Sequence, residues 1–148
     1  MPIFESELLL KCPPAQVFEF LARPANLLLV SPPEFHLKLL EAPERLALGA
    51  RITIQGSKFG IPQKIISEVT AFEDGVAFTD EQVSGPFGKF KHTHSVAPDP
   101  IGCKMTDRIE YESPGGLIGL MLTNDRIRRD LQTLADFRAE KFKLLLEQ

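Results

Sequence analysis

Apolar and polar positions alternate in short runs through the middle of the chain, and a single helical stripe occupies its end. Ile3 to Leu10 alternates weakly and closes on leucines, which predicts a first strand. Cys12-Pro13-Pro14 stops it. Proline is tolerated in the first turn of a helix, so a short helix is expected from Pro14 to Ala22, with Val17, Phe18 and Leu21 on one side. Pro24 opens a second short helix over Ala25 to Val30, and Ser31-Pro32-Pro33 ends it.

From there the period drops to two. Phe35, Leu37 and Leu39 alternate with His36, Lys38 and Leu40. Further strands are expected over Arg51 to Lys58, Lys64 to Ala71, Val76 to Ser84, Phe87 to Val96 and Lys104 to Tyr111. The breaks between them are turn chemistry: 59–62, Glu73-Asp74-Gly75, Ser84-Gly85-Pro86 and 97–102. Ser113-Pro114-Gly115-Gly116 then switches the chain to helix. Over Leu117 to Leu146, Leu120, Ile127, Leu131, Leu134, Phe137 and Leu145 form an apolar stripe. Arg126, Arg128, Arg129, Asp130, Arg138, Glu140 and Lys141 are assigned to its wet side, and Thr123 to Asp125 offers a point where this helix either breaks or continues.

Short turns make neighbouring strands antiparallel, and a sheet with one apolar face needs a cover. The expected fold is therefore α+β: a curved antiparallel sheet wrapped around a long C-terminal helix, with two short helices after the first strand. Residues 1–148 are read as one domain, since 148 residues fit one core. Apolar residues at 43% and charged residues at 25% exclude a disordered chain. No apolar run reaches the length of a membrane span. A net charge of −3 argues against a nucleic-acid partner. The N-terminus lacks the pattern of a secretory signal, and two isolated cysteines, Cys12 and Cys103, form no disulfide framework. Free thiols and a cytoplasmic location are expected, with a monomer or weak dimer and no stable membrane insertion.

Strand alternation sorts the best strands into faces. Phe78, Asp80, Gln82 and Ser84 share one face; Phe90, His92, His94 and Val96 share another; Met105, Asp107, Ile109 and Tyr111 a third. Each set holds the larger apolar residues, so each is assigned to the interior. The opposite faces, including Thr79 and Thr93, are assigned to water. That interior carries an unusual polar load, and hairpin registers place Asp80 opposite His92, and Asp107 opposite His92 or His94. Buried charges must pair or meet water, which a solvent-containing cavity between sheet and helix allows.

Three kinds of chemistry fit these residues. His92 and His94 form an H-x-H on one strand face, a spacing that can chelate a metal with Asp80 or Asp107; the plainer reading is a His–Asp hydrogen-bond network. A His beside a carboxylate also suits acid–base work, with His92 or His94 as base and Tyr111 as acid. The third reading is a binding pocket, with Ile52, Ile54, Phe78, Phe90, Met105 and Ile109 as walls and the polar residues orienting the ligand.

The segment Phe78 to His94 resembles an F-x-D-x-Q-x-x-G-P-F-x-x-W-x-H-x-H stretch of bacterial SRPBCC domains, the START/pollen-allergen-like superfamily, in their polyketide cyclase/dehydrase-like branch. Met105 to Pro114 is similar to the M-x-D-x-(I/V)-x-Y-x-x-P strand of that branch, and Ala15 to Phe20 to the superfamily's opening helix. Phe90 stands where the motif has Trp. The resemblance implies a helix-grip fold with a deep cavity between sheet and C-terminal helix. It also implies binding of a small hydrophobic or amphipathic molecule, lipid-, polyketide- or aromatic-like. A cyclase or dehydratase using a pocket His and Tyr is the alternative. The expected ligand-binding residues are Asp80, Gln82, Phe90, His92, His94, Asp107, Tyr111, Phe78, Met105 and Ile109, with no cofactor and no metal.

Overall fold

The computed structural model describes residues 1–58 and 61–147. Strand β1 (Ile3–Leu10) leads into α1 (Pro14–Leu21), which starts at its proline as the ring's fixed backbone angle favours. Two 3-10 helices follow, Pro24–Val30 and Pro33–Phe35. Then come β2 (Lys38–Glu41), β3 (Arg51–Lys58), β4 (Ile61–Glu73), β5 (Ala77–Ser84), β6 (Lys89–Asp99) and β7 (Gly102–Glu112). Helices α2 (Gly116–Met121) and α3 (Asn124–Leu146) close the order. All seven strands form one antiparallel sheet in the order β1-β7-β6-β5-β4-β3-β2. The sheet curves around α3, so the expected α+β helix-grip architecture is present.

Three local expectations change, and the choice left open at Thr123 is decided. The strand expected from Phe35 begins at Lys38, because His36 takes a left-handed conformation (φ 49°) that ends the preceding 3-10 turn. The turn expected over 97–102 shrinks to two residues: β6 runs on through Pro98 to Asp99, and β7 starts at Gly102. The break expected at 59–62 is partly strand, since Ile61 and Pro62 belong to β4, while Phe59 and Gly60 lie outside the described residues. The long C-terminal helix is broken. Thr123 caps a new helix by accepting the Arg126 N–H on its Oγ1 at 3.3 Å.

The hydrophobic core is divided in two. One cluster gathers Leu10, Val17, Phe18, Val69, Phe78, Met105, Phe142 and Leu146 where α1 and the end of α3 meet the sheet. The other gathers Phe4, Ile109, Tyr111 and Ile127 near the start of α3. Along the inward face of β7, Met105 belongs to the first cluster and Ile109 to the second, and Asp107 falls between them. Arg138 holds the same intermediate place on α3, between Ile127 and Phe142. Polar chemistry is thus set between two dry regions.

The helical stripe also differs from its sequence reading. Ile127, Phe142 and Leu146 are buried, whereas Leu120 is 77% exposed because it belongs to the separate helix α2. Ser84 is exposed at the end of β5 rather than inside. Thr79, assigned to water, is buried and shares a 2.9 Å hydroxyl–hydroxyl hydrogen bond with its cross-strand neighbour Thr93. Cys12 and Cys103 are free, buried thiols, close to the pairing of Leu10 with Cys103. No helix among the described residues is long and apolar enough to cross a membrane.

Candidate functional site

Strand register builds the centre of the site. β5 pairs with β6 so that Asp80 faces His92 and Phe78 faces His94, and β6 pairs with β7 so that His94 faces Asp107. The hydrogen bonds run diagonally to that register. His94 Nε2 donates to Asp80 Oδ2 at 3.0 Å, and His92 Nε2 donates to Asp107 Oδ1 at 2.7 Å. Diagonal neighbours in a sheet lie within reach of long side chains, and the imidazoles span that distance. The two rings stack on each other with centroids 3.6 Å apart, and His94 stacks in turn on Phe78 at 4.4 Å.

Charge follows from these contacts. Burial disfavours a charged His94, but the carboxylates of Asp107 and Asp80 outweigh it and push its pKa up to about 9. Its Nδ1 faces Asp107 Oδ1 at 3.5 Å, an ionic contact too long for a good hydrogen bond. His92 goes the other way: burial and the neighbouring His94 charge lower its pKa against the pull of Asp107. Burial raises both carboxyls, yet their histidine hydrogen bonds win and hold Asp80 below, and Asp107 well below, the usual range. Near neutral pH the group is therefore two carboxylates, one imidazolium and one neutral imidazole.

This network lines one side of a cavity of about 420 Å³ between the sheet, α3 and the segment after α1. Of the residues expected at a ligand site, Phe78, Asp80, Gln82, Phe90, His92, His94, Asp107 and Ile109 line it. Ile52 and Ile54 line it too. Met105 instead lines a smaller neighbouring cavity of about 120 Å³, which shares His92, Asp107 and Arg138 with the larger one. Tyr111 lines neither. Its side of β7 points inward as expected, but two residues beyond Ile109 it is sealed in the second core cluster at 1% exposure. The acid of the acid–base reading is thus away from the cavity. Gln82 reaches the cavity with its amide already engaged: Nε2 donates to the Phe87 carbonyl at 2.8 Å, and Oε1 accepts from the Phe87 N–H at 3.3 Å. It braces the β5–β6 turn, and a Cβ at Gly85 would strike it.

The sequence reading missed part of the wall. Phe20, Leu27, Val30, Phe35, Leu37, Leu46 and Ile65 complete the apolar lining from the sheet and the connecting segments. Arg138, assigned to the wet side of the helix, lines both cavities, and its Nε is buried with no hydrogen-bond partner among the described residues. The signal was available: Leu134, Arg138 and Phe142 are spaced by four, which puts them on one helical line.

Asp80, His92 and His94 can each offer one metal-ligand atom, all within 4.8 Å of one another. The same side chains make the hydrogen bonds described above, so an ion would compete with the network for Asp80 and for the imidazole nitrogens.

A family model described as polyketide cyclase / dehydrase and lipid transport matches residues 1–147. No curated protein matches the chain in sequence. Among solved structures, the chain is similar to protein CV1439 from Chromobacterium violaceum at 15% identity and TM-score 0.78, covering 100% of this chain and 99% of that one. A START superfamily protein from Mycobacterium smegmatis aligns at 12% identity and TM-score 0.73, over 99% of this chain and 97% of that one. Major latex-like protein 151 from Panax ginseng aligns at 14% identity and TM-score 0.67, over 94% and 95%.

Proposed function

The chain belongs to the polyketide cyclase/dehydrase and lipid transport family, and from that premise we propose that it binds a small hydrophobic or amphipathic molecule in the cavity between its sheet and α3. The observation that carries this reading is the cavity itself. It holds about 420 Å³, its walls are mainly aliphatic and aromatic, and the His–Asp network with Arg138 gives it one strongly polar side. A close-packed interior of this size would leave no such space, since native cores hold few voids larger than a water molecule. The ligand's apolar body lies against Ile52, Ile54, Ile65 and Phe78, and its polar end meets the His–Asp network.

The test uses N-phenyl-1-naphthylamine, an uncharged apolar fluorophore. Saturable 1:1 binding to the wild-type protein is expected, with emission shifted to the blue. An Ile54→Trp variant adds an indole where the wall is open. It should retain its thermal midpoint while losing roughly tenfold or more in probe affinity. A folded Ile54→Trp variant that binds the probe as tightly as wild type would remove the cavity as the binding place.

A further inference from the structure

Three side chains in the cavity wall bring ligating atoms together. One such atom from each of Asp80, His92 and His94 lies within 4.8 Å of the other two, and all three residues line the larger cavity. The backbone fixes this convergence. His92 and His94 are two apart on β6, so both rings leave the same face of the strand, and Asp80 on β5 is the direct cross-strand partner of His92. Ligands carried by two paired strands need no loop to order before an ion arrives.

The distances suit coordination. Bonds of about 2.0–2.1 Å to one ion, at tetrahedral to octahedral angles, set neighbouring ligand atoms roughly 2.9–3.4 Å apart. Asp80 Oδ2 and His94 Nε2 stand 3.0 Å apart. Asp107 supplies the outer carboxylate that a ligating histidine commonly has. Its Oδ1 accepts from His92 Nε2 at 2.7 Å and faces His94 Nδ1 at 3.5 Å, so one carboxylate stands behind both rings. His94 Nε2 and the second nitrogen of His92 are left for an ion. Arg138 acts on both carboxylates electrostatically but forms no ion pair with either among the described residues, so neither is taken.

Coordination exchanges one contact for another. The Nε2 proton of His94 leaves to solvent, its hydrogen bond to Asp80 opens, and both atoms bind the ion. An ion lies near the plane of each imidazole that holds it. The His92 and His94 rings, stacked with 24° between their planes, therefore turn apart as it enters.

We propose that Asp80, His92 and His94 form a three-ligand site for a divalent first-row transition ion, with Asp107 as the positioning carboxylate. This reverses the sequence expectation of no metal. Two imidazoles and one carboxylate favour such ions over magnesium and calcium, which take oxygen ligands. The remaining coordination positions face the cavity, as in sites that keep a place for water or a bound molecule. The site is independent of the cavity-binding reading, and its test uses no organic ligand.

Cobalt(II) is the probe, added at about pH 7.5 to the whole protein after chelator treatment. One equivalent should bind saturably below millimolar concentration, with visible bands stronger than those of the six-coordinate aqueous ion, and zinc should displace it. Asp80→Asn and His94→Gln should each weaken binding by roughly a hundredfold or more. Asp107→Asn should weaken it by roughly tenfold to a hundredfold and move the cobalt bands, because the imidazoles lose the acceptor that raises their basicity. His36→Gln, at the third histidine of the chain, should change nothing. Should the site variants not fold, X-ray absorption of the zinc-loaded wild type replaces them: two imidazoles on the ion support the site, and fewer overturn it. Absence of saturation below millimolar cobalt overturns it and leaves the His–Asp network as a hydrogen-bond device alone. A thiolate charge-transfer band, which would place the ion at Cys12 or Cys103, also overturns it, as does equal loss in His36→Gln and His94→Gln.

Discussion

His94 is the residue on which the electrostatics of the cavity turn. Its pKa stands at about 9 in the folded protein against 6.5 for the free side chain, so its stabilising effect is complete below pH 6.5 and is lost as pH rises toward 9. His92 acts in the opposite sense. Its folded pKa is depressed, so stability is lost as pH falls below 6.5 and the unfolded chain takes up a proton that the folded one refuses. The lowered carboxyls of Asp80 and Asp107 steepen the loss in acid. Thermal stability should therefore peak near pH 6.5. One proton corresponds to about 1.4 kcal/mol per pH unit, so the alkaline limb from pH 7 to 9 amounts to at most about 3 kcal/mol. Melting curves across that range check this, and His94→Gln should flatten the alkaline limb; a limb of unchanged slope in that variant would assign it to another group. The residues of this network were legible because the two-residue period of a strand puts His92 and His94 on one face, and hairpin turns bring Asp80 and Asp107 beside them. Which aspartate bonds which histidine was not legible, because side-chain reach along the diagonal overrides the backbone register.

At the scale of elements, the tight β6–β7 turn supports the junction between β1 and α1. Gly102 has φ 143°, and a Cβ there would lie 2.6 Å from the Leu10 carbonyl oxygen and 2.7 Å from the Cys12 nitrogen. Both obstacles are backbone and cannot swing aside. Gly102→Ala should cost roughly 3 kcal/mol or more, read from urea denaturation, whereas Gly75→Ala, with nothing near its Cβ, should cost only the strain of its own positive φ, about 1 kcal/mol. Equal losses at the two sites would remove the packing argument. The strands and α1 were legible because each is bounded by proline or glycine punctuation and carries its own period. The inner line of α3 was carried by the four-residue spacing of Leu134, Arg138 and Phe142 and was passed over, because by residue type alone an arginine is assigned to solvent. The break at Thr123 was legible as a possibility, because Thr123-Asn124-Asp125 is capping chemistry, but spacing alone did not choose between a cap and a continuous helix.

For the whole molecule, the divided core predicts coupling between binding and stability. A ligand that fills the cavity bridges the two hydrophobic clusters and binds only the folded state. A neutral apolar probe at a hundred times its dissociation constant should stabilise the protein by about 2.7 kcal/mol. For a chain of this size that raises the thermal midpoint by roughly 5–10 °C. Circular dichroism melts with and without N-phenyl-1-naphthylamine measure it, and an unmoved midpoint at saturation would mean that the probe sits outside the fold.

The position of β1 beside β7 also has a consequence in time. Ile3 pairs with Glu110 and Leu10 with Cys103, so β1, at the edge of the sheet, pairs with a strand about two thirds of the chain away. Pairings between adjacent strands close short loops, but this one closes a loop of about a hundred residues, which places the chain among folders of high contact order and slow, millisecond-to-second kinetics. During synthesis β1 is made well before β7 and stays without that strand partner until β7 follows. Phe4 and Leu10, buried in the finished fold, therefore lack the cover of β7 for as long as the intervening strands are being made.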